Sequence, residues 1–297
     1  MSQPVIRILH PGMGITVQDA GRTGWKSFGV PWSGPMDPVA ADAANRLAGN
    51  PPGTPVLEIL LHGAELEFLQ TTWAAIAGAH TCAALPAWTA RIVQAGEILE
   101  FVHPEHGVWT YLAVPGGFHA SSQFGSCSHY IRGGIGAPIV RGTELTSPVR
   151  SPLLPSEDRI GARLIPQEDR LSYDQPPELT IWPGPEWKLL SSQSRRALLE
   201  AEWTVRSDSD RIGYRLQGPK LELRKPTEMR SEPSPVGTVQ LPPDGNPIVL
   251  LRDGPTVGGY PKIAVVDPPS LPCLAQSQPG RTVKFHLCKN GGAESEI

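Results

Sequence analysis

The sequence predicts a mainly β protein, built as two similar β-barrel domains with a few short helices. Three observations carry this reading. Short apolar runs recur along the whole chain, and turn residues flank most of them. The 33 prolines and 31 glycines are spread between these runs, which suits many strands joined by tight turns. Two phrases of the first half echo in the second: LHGAELEF (61–68) beside LQGPKLEL (216–223), and QAGEILEF (94–101) beside QPGRTVKF (278–285). Paired echoes of this kind mark an internal repeat.

The strand-like runs are VIRIL (5–9), VLEILL (56–61), AELEF (64–68), AAIAG (74–78), EILEFV (97–102), WTYLAV (109–114), ELTIW (178–182), PIVLL (247–251) and TVKFHL (282–287). One helix is expected over 38–48. Asp37 is a ready N-cap, Pro38 suits the first helical position and Gly49 can close the end. A second is expected over about 185–200, with Trp187, Leu190, Ala197 and Leu198 on its buried side. Residues 147–178 carry six prolines and many charges. The expected organisation is therefore a first barrel over 1–150, a Pro-rich linker or crossing over 151–177, and a second barrel over 178–297.

Net charge is −3, with no run of five or more like charges, which argues against a nucleic-acid surface. The four cysteines are scattered without a Cys-x-x-Cys pair, so neither a zinc ribbon nor a thioredoxin motif is expected. The opening MSQPVIRILHPG lacks the charged and long apolar regions of a signal peptide. No segment approaches 18 apolar residues, so no membrane contact is expected. The chain reads as soluble, reduced and cytoplasmic.

The stretch RDGPTVGGYPK (252–262) concentrates glycine, proline and charge. It is not a Walker A loop, because Lys262 follows Gly259 by three residues and Ile263 comes next. A β-hairpin turn and an anion- or ligand-binding loop both fit it. In SDSDRIGYR (207–215), Asp210 and Arg211 read either as a local salt bridge at a turn or as part of an Arg fork for a carboxylate or phosphate. VQDAGRTGW (17–25) again joins an acid, an arginine and turn glycines. VPWSGPMDP (30–38) then enters the first helix, where Ser33 and Asp37 can cap or help form an anion site. Cys127 and His129 stand two apart, a nucleophile–base spacing that is more often incidental. HPEH (103–106) is a poor metal site because Pro104 opposes the helical spacing, and no metal is expected. No Gly-x-Ser-x-Gly nucleophile elbow occurs.

Seven segments occur in an order that resembles one family: TVQDAGRTG, GVPWSGPMD, ANRLAGN, LEILLHG, SDRIGYRLQG, VQLPPDGNPIVLL and TVGGYPKIAVV. The chain resembles the KipA-like family, also called allophanate hydrolase subunit 2 or the C-type subunit of 5-oxoprolinase, over nearly its whole length. The same unit forms the carboxyltransferase region of urea amidolyase. The resemblance implies two cyclophilin-like β-barrels. It implies one component of an ATP-dependent 5-oxoprolinase, which opens the cyclic amide of 5-oxoproline to glutamate. The implied partners are two further subunits, one KipI-like and the other LamB/YcsF-like, with ATP used by the complex. Two alternatives stay open. One is a biotin-dependent carboxyltransferase acting on urea or a similar small amide. No Met-Lys-Met occurs, so biotin would then come from another chain. The other is a regulatory protein that binds a KipI-like partner.

Residues carried over on the matching motifs are Asp253, Lys262, Tyr260, Asp210 and Arg211 as catalytic candidates. Gln240, Gly258, Gly259, Asp19, Arg22, Ser33 and Asp37 are candidates for holding the substrate. The chain departs from the usual pattern at several places. Cys127 and His129 stand in GSCSH where members often have GSRST. Pro255 replaces a glutamine, Trp109 an arginine, and Gly142–Glu144 a Gly-Asp pair. Lost arginines would weaken an anion site that they served.

Overall fold

The structure is a computed structural model that describes residues 4–148, 162–225 and 229–288. The chain forms two compact units, Met1–Gly24 with Trp32–Ser172, and Trp25–Pro31 with Tyr173–Ile297. Among the described residues, no helix is long and apolar enough to cross a membrane.

The first unit holds β1 (Pro4–Pro11), β2 (Ile15–Gln18), α1 (Pro38–Ala48), β3 (Val56–Leu60), β4 (Ala64–Phe68), β5 (Thr72–Gly78), β6 (Thr89–Val93), β7 (Ile98–Glu100), β8 (Trp109–Ala113), β9 (Glu144–Thr146) and β10 (Ala162–Leu164). They form two antiparallel sheets, ordered β7-β4-β1-β9 and β10-β6-β5-β8-β3-β2. Every residue of β5 and β8 is buried, so these strands form the spine of the larger sheet. The helix α1 lies against them. Its buried face is mostly alanine, with Ala40, Ala41, Ala44, Leu47 and Ala48 inside, and small side chains let a helix approach a sheet closely. The caps match the sequence expectation. Asp37 accepts a hydrogen bond from Ala40 N–H at 3.0 Å, Pro38 sits in the first turn, and Gly49 closes the helix with φ 82°. The expected linker 151–177 is only partly described, since 149–161 lie outside the described residues. Its residues 162–164 form β10, which pairs with β6 and so joins the first unit.

The second unit holds β11 (Glu178–Pro183), α2 (Ser192–Glu200), β12 (Trp203–Val205), β13 (Gly213–Gln217), β14 (Glu232–Pro233), β15 (Thr238–Gln240), β16 (Ile248–Leu250), β17 (Val257–Gly258), β18 (Lys262–Val266), α3 (Leu271–Ala275) and β19 (Thr282–Leu287). Seven strands close into a barrel, β11-β18-β15-β16-β13-β12-β19, sealed by the parallel pair of β19 with β11. Closure leaves no free edge among these strands. Trp203 fills the barrel beside Phe285, with ring centroids 6.5 Å apart. Its indole N–H donates to Leu198 O at 3.1 Å, which satisfies the polar end of a buried side chain. The helix expected over 185–200 begins later, at Ser192. Gly184 and Glu186 N–H groups bond to Ile263 and Lys262 carbonyls, and Trp187–Leu189 form a single tight turn. Ser191 then caps α2 by accepting from Ser194 N–H at 3.0 Å. Trp187, Leu190 and Leu198 are buried as expected, and Ala197 is half-buried.

Candidate functional site

In the first unit, the candidates Asp19 and Arg22 meet around the segment Ser126–His129. The Asp19 carboxylate accepts from Gly21 N–H at 2.9 Å, Cys127 N–H at 2.8 Å, Ser128 Oγ–H at 2.6 Å and the Ser126 hydroxyl. Burial alone would push the Asp19 pKa up. The hydroxyls of Ser126 and Ser128, with the N–H groups of Cys127 and Gly21, outweigh it and hold the carboxyl below its ordinary value. Arg22 is fully buried, and its guanidinium donates to Ser128 O and to Gln123 O. The turn needs a glycine at Gly21, where φ is 88° and an added Cβ would run into Trp32.

Cys127 sits inside this cluster and donates its thiol to Asp19 Oδ2 at 3.4 Å. Burial, then the Asp19 charge, push its pKa up to about 12. A thiol in that state is neutral at neutral pH, so Cys127 is not an activated nucleophile. Alkylation of the folded protein at pH 8 should therefore modify the half-buried Cys273 and Cys288 long before Cys127 or the buried Cys82. Peptide mass mapping after a timed iodoacetamide pulse checks this. Early label on Cys127 would contradict it.

Ser33 and Asp37 belong to the entry of α1. Ser33 is fully buried with φ 58°, a left-handed conformation that a side chain disfavours, and Gly34 follows at φ 84°. Ser33 Oγ has no hydrogen-bond partner among the described residues. The next turns are fixed by a buried network. Glu58 accepts from Met36 N–H at 2.7 Å and from Tyr111 O–H at 2.8 Å. Tyr111 Oη in turn accepts from Asp37 N–H at 2.8 Å. Burial and the nearby Glu58 and Asp37 carboxylates hold the Tyr111 hydroxyl well above its ordinary pKa, so it stays a donor.

In the second unit, the catalytic candidates separate into three groups. Asp210 shapes a turn, accepting from Ile212 N–H at 2.8 Å and Gly213 N–H at 3.3 Å. The strand begins only at Gly213, so Asp210 and Arg211 do not lie on a strand face. Arg211 and Asp253 form a two-pronged buried ion pair, Nε to Oδ2 at 2.7 Å and Nη2 to Oδ1 at 3.2 Å. Lys262, Gln240, Gly258 and Tyr260 converge at one corner of the barrel. Gln240 on β15 is paired with Lys262 on β18. The Lys262 ammonium contacts Glu232 Oε2 at 2.6 Å, and its backbone N–H donates to Glu186 at 2.8 Å. Gly258 belongs to the short β14–β17 ladder, pairing with Glu232. A side chain at Gly259 would meet nothing closer than Ser231 Oγ at 3.7 Å.

Gln240 and Tyr260 line a pocket of about 550 Å³, within the range of small-molecule sites. Arg206, Arg215, Asp244 and Asn246 supply the rest of its polar wall, and Pro242, Pro255, Ile212 and Leu250 much of its apolar wall. Arg206 and Arg215 both reach Asp208, at 3.0 and 3.6 Å. Among the described residues, no cluster of three His, Cys, Asp or Glu side chains could hold a metal ion. Sequence reasoning missed Glu58, Tyr111, Ser126, Ser128, Glu232 and Arg206, while Arg215 is the second arginine of the 207–215 stretch. Two of these sites had a visible signal. A glutamate inside the apolar run VLEIL must find a buried partner, and serines flank Cys127 on both sides.

Residues 28–287 match the family described as carboxyltransferase domain, subdomain A and B. The C-type subunit of 5-oxoprolinase from Haemophilus influenzae is 37% identical over 289 residues, which cover 95% of this chain and 90% of that protein. The crystal structure of TTHA0988 matches with a TM-score of 0.85 at 34% identity, over 96% of this chain. This chain spans 57% of the length of that one. The urea amidolyase of K. lactis matches with a TM-score of 0.85 at 27% identity, over 96% of this chain and 19% of its own. The match over most of its length shows that the chain belongs to the carboxyltransferase domain A and B family.

Proposed function

We propose that this chain is the C-type subunit of an ATP-dependent 5-oxoprolinase and works in the cytoplasm with two partner subunits, one KipI-like and the other LamB/YcsF-like. The observation that carries this is the near end-to-end likeness to a 5-oxoprolinase component of the same type, over 95% of one chain and 90% of the other. The second-unit pocket supports it. 5-Oxoproline presents a ring amide and a carboxylate. Gln240, Asn246 and Tyr260 offer donors and acceptors for the amide, and Arg206 and Arg215 offer N–H donors for the carboxylate, which would share them with Asp208 beside the lining carboxylate of Asp244. Both arginines are about half exposed, so their charge reaches an entering anion through solvent. ATP supplies the driving force in the complex. The 252–262 stretch lacks the residues of a phosphate loop, so no residue of this chain is assigned to ATP.

The test is a coupled assay for ADP and glutamate release from 5-oxoproline, using this chain with the KipI-like and LamB/YcsF-like chains of its own organism. Turnover should require all three chains. The double substitution Arg206→Gln and Arg215→Gln should raise KM about ten-fold or more and leave kcat near wild type, since the arginines steer and hold the carboxylate. A stable complex that releases neither ADP nor glutamate would sink this assignment. The likeness to urea amidolyase favours a second reading, a biotin-dependent carboxyltransferase acting on a urea-like amide. The same preparation offered urea and carboxybiotin decides between the two.

A further inference from the structure

Gln240 is only 4% exposed, yet it stands in the pocket wall. Its side-chain nitrogen makes one long contact, to Ser234 Oγ at 3.4 Å. Its carbonyl oxygen has no hydrogen bond among the described residues. The oxygen itself is not sealed off, so within a nearly buried side chain it is the acceptor that an entering ligand can reach. Arg206, Arg215, Asn246 and Tyr260 also line the pocket, but none of them bonds to this oxygen. Pro242 and Pro255 lack an N–H, and Ile212 and Leu250 have apolar side chains. The side chain is also held in place. The backbone of Gly258 lies against Gln240 Nε2, so close that a Cβ there would clash with it. The result is a fixed amide edge with an open acceptor and a spare N–H beside it.

We propose that Gln240 reads the amide edge of the substrate: its carbonyl accepts the substrate N–H while its own N–H donates to the neighbouring substrate carbonyl. This paired contact works only when the ligand's N–H and C=O point the same way. A ring amide has that geometry, and so does urea. An ordinary open-chain secondary amide is trans, with the two groups on opposite edges, and can make only one of the bonds. Gln240 therefore determines specificity for small cis-type amides. The proposal rests on reading this pocket as the substrate site.

The test compares ligands on the full-length chain by titration calorimetry and ligand-observed NMR. The probes are 5-oxoproline, urea, and 5-oxotetrahydrofuran-2-carboxylate, the lactone that keeps ring, carbonyl and carboxylate but lacks the N–H. 5-Oxoproline should bind about ten-fold or more tightly than the lactone, the worth of about one hydrogen bond. Gln240→Met, which keeps side-chain length, should bring that ratio close to one. Thermal melting and Gln240→Glu, which keeps an acceptor but loses the paired donor, separate recognition from misfolding. Equal affinity for lactam and lactone in the wild type overturns the proposal, as does no binding of any probe. An unchanged ratio in Gln240→Met also overturns it. Preferential binding of urea supports the amide edge while sinking the 5-oxoproline assignment. Conversely, turnover in the three-chain assay without lactam–lactone discrimination leaves the assignment standing and removes the role of Gln240.

Discussion

Replacing Asp253 with alanine should lower the stability of the folded chain by about 3–5 kcal/mol. The carboxylate is 6% exposed and grips Arg211 through both oxygens. The two residues are tied a second time by their backbones, Asp253 N–H to Arg211 O at 2.9 Å. Removing the acid strips a guanidinium that is itself about one-tenth exposed of its bidentate partner. That is the costly way to break a buried pair. Removing both charges costs far less, because the desolvation penalty disappears with them. Arg211→Met with Asp253→Leu should therefore recover much of the loss. Urea unfolding of the wild type, both single variants and the double variant closes the cycle. The same cycle sorts structure from chemistry. If Asp253→Ala abolishes turnover but changes stability by less than about 1 kcal/mol, the carboxylate acts on substrate and the pair is not a strut.

The legible part of this fold was the part with strong local pattern. Strands β1, β3, β4, β5, β7, β8, β11, β16 and β19 all coincide with apolar runs visible in the sequence. The helix α1 was legible because Asp37, Pro38 and Gly49 mark both ends. Strands such as β6 and β12 were not. TARIV carries an arginine and a threonine among its apolar residues, and WTV is three residues long. Such strands exist because neighbours supply their ladders, not because their own composition demands it. The second helix shows the same limit. Its apolar spacing extended back to Pro185, but carbonyls of β18 captured the backbone of 184–186.

The candidate site was legible as a set of segments and not as partnerships. Asp210 and Arg211 are adjacent, yet the carboxylate that pairs with Arg211 lies 42 residues away on Asp253. Cys127 drew attention as a nucleophile beside His129. Its actual state is set by burial first and then by Asp19, 108 residues distant, which together hold the thiol protonated. Charges far apart in sequence decide the state of each group, and a single sequence does not reveal them. Gln240 was visible only through its motif. The role proposed for it rests on an open carbonyl oxygen, which a sequence does not show.

Asp19→Asn should give the second large effect, with a clear signature in pH. The folded carboxyl has a depressed pKa, so its contribution is fully present above the unfolded value of about 3.9. It is lost as pH falls through the folded pKa. The gap in stability between wild type and variant should therefore be flat from neutral pH down to about pH 5 and close in more acidic solution. Asparagine keeps one acceptor oxygen but puts an N–H₂ where the second carboxylate oxygen stood. At least one of the Ser126, Ser128 and Cys127 donors then loses its partner, at a cost of about 2–3 kcal/mol near neutral pH. Equilibrium unfolding at a series of pH values measures the gap. A gap that is constant down to pH 3 would mean that the Asp19 carboxyl titrates alike in the folded and unfolded states, against a depressed folded pKa. The thiol gives an independent readout on the same variant. Losing the Asp19 charge removes the second-largest cause of the raised Cys127 pKa, while burial, the larger cause, remains. Alkylation of Cys127 should therefore speed up several-fold and still fall short of an exposed cysteine. Unaltered alkylation with a large loss of stability would place the Asp19 carboxylate in the turn alone, without electrostatic reach to the thiol beside it.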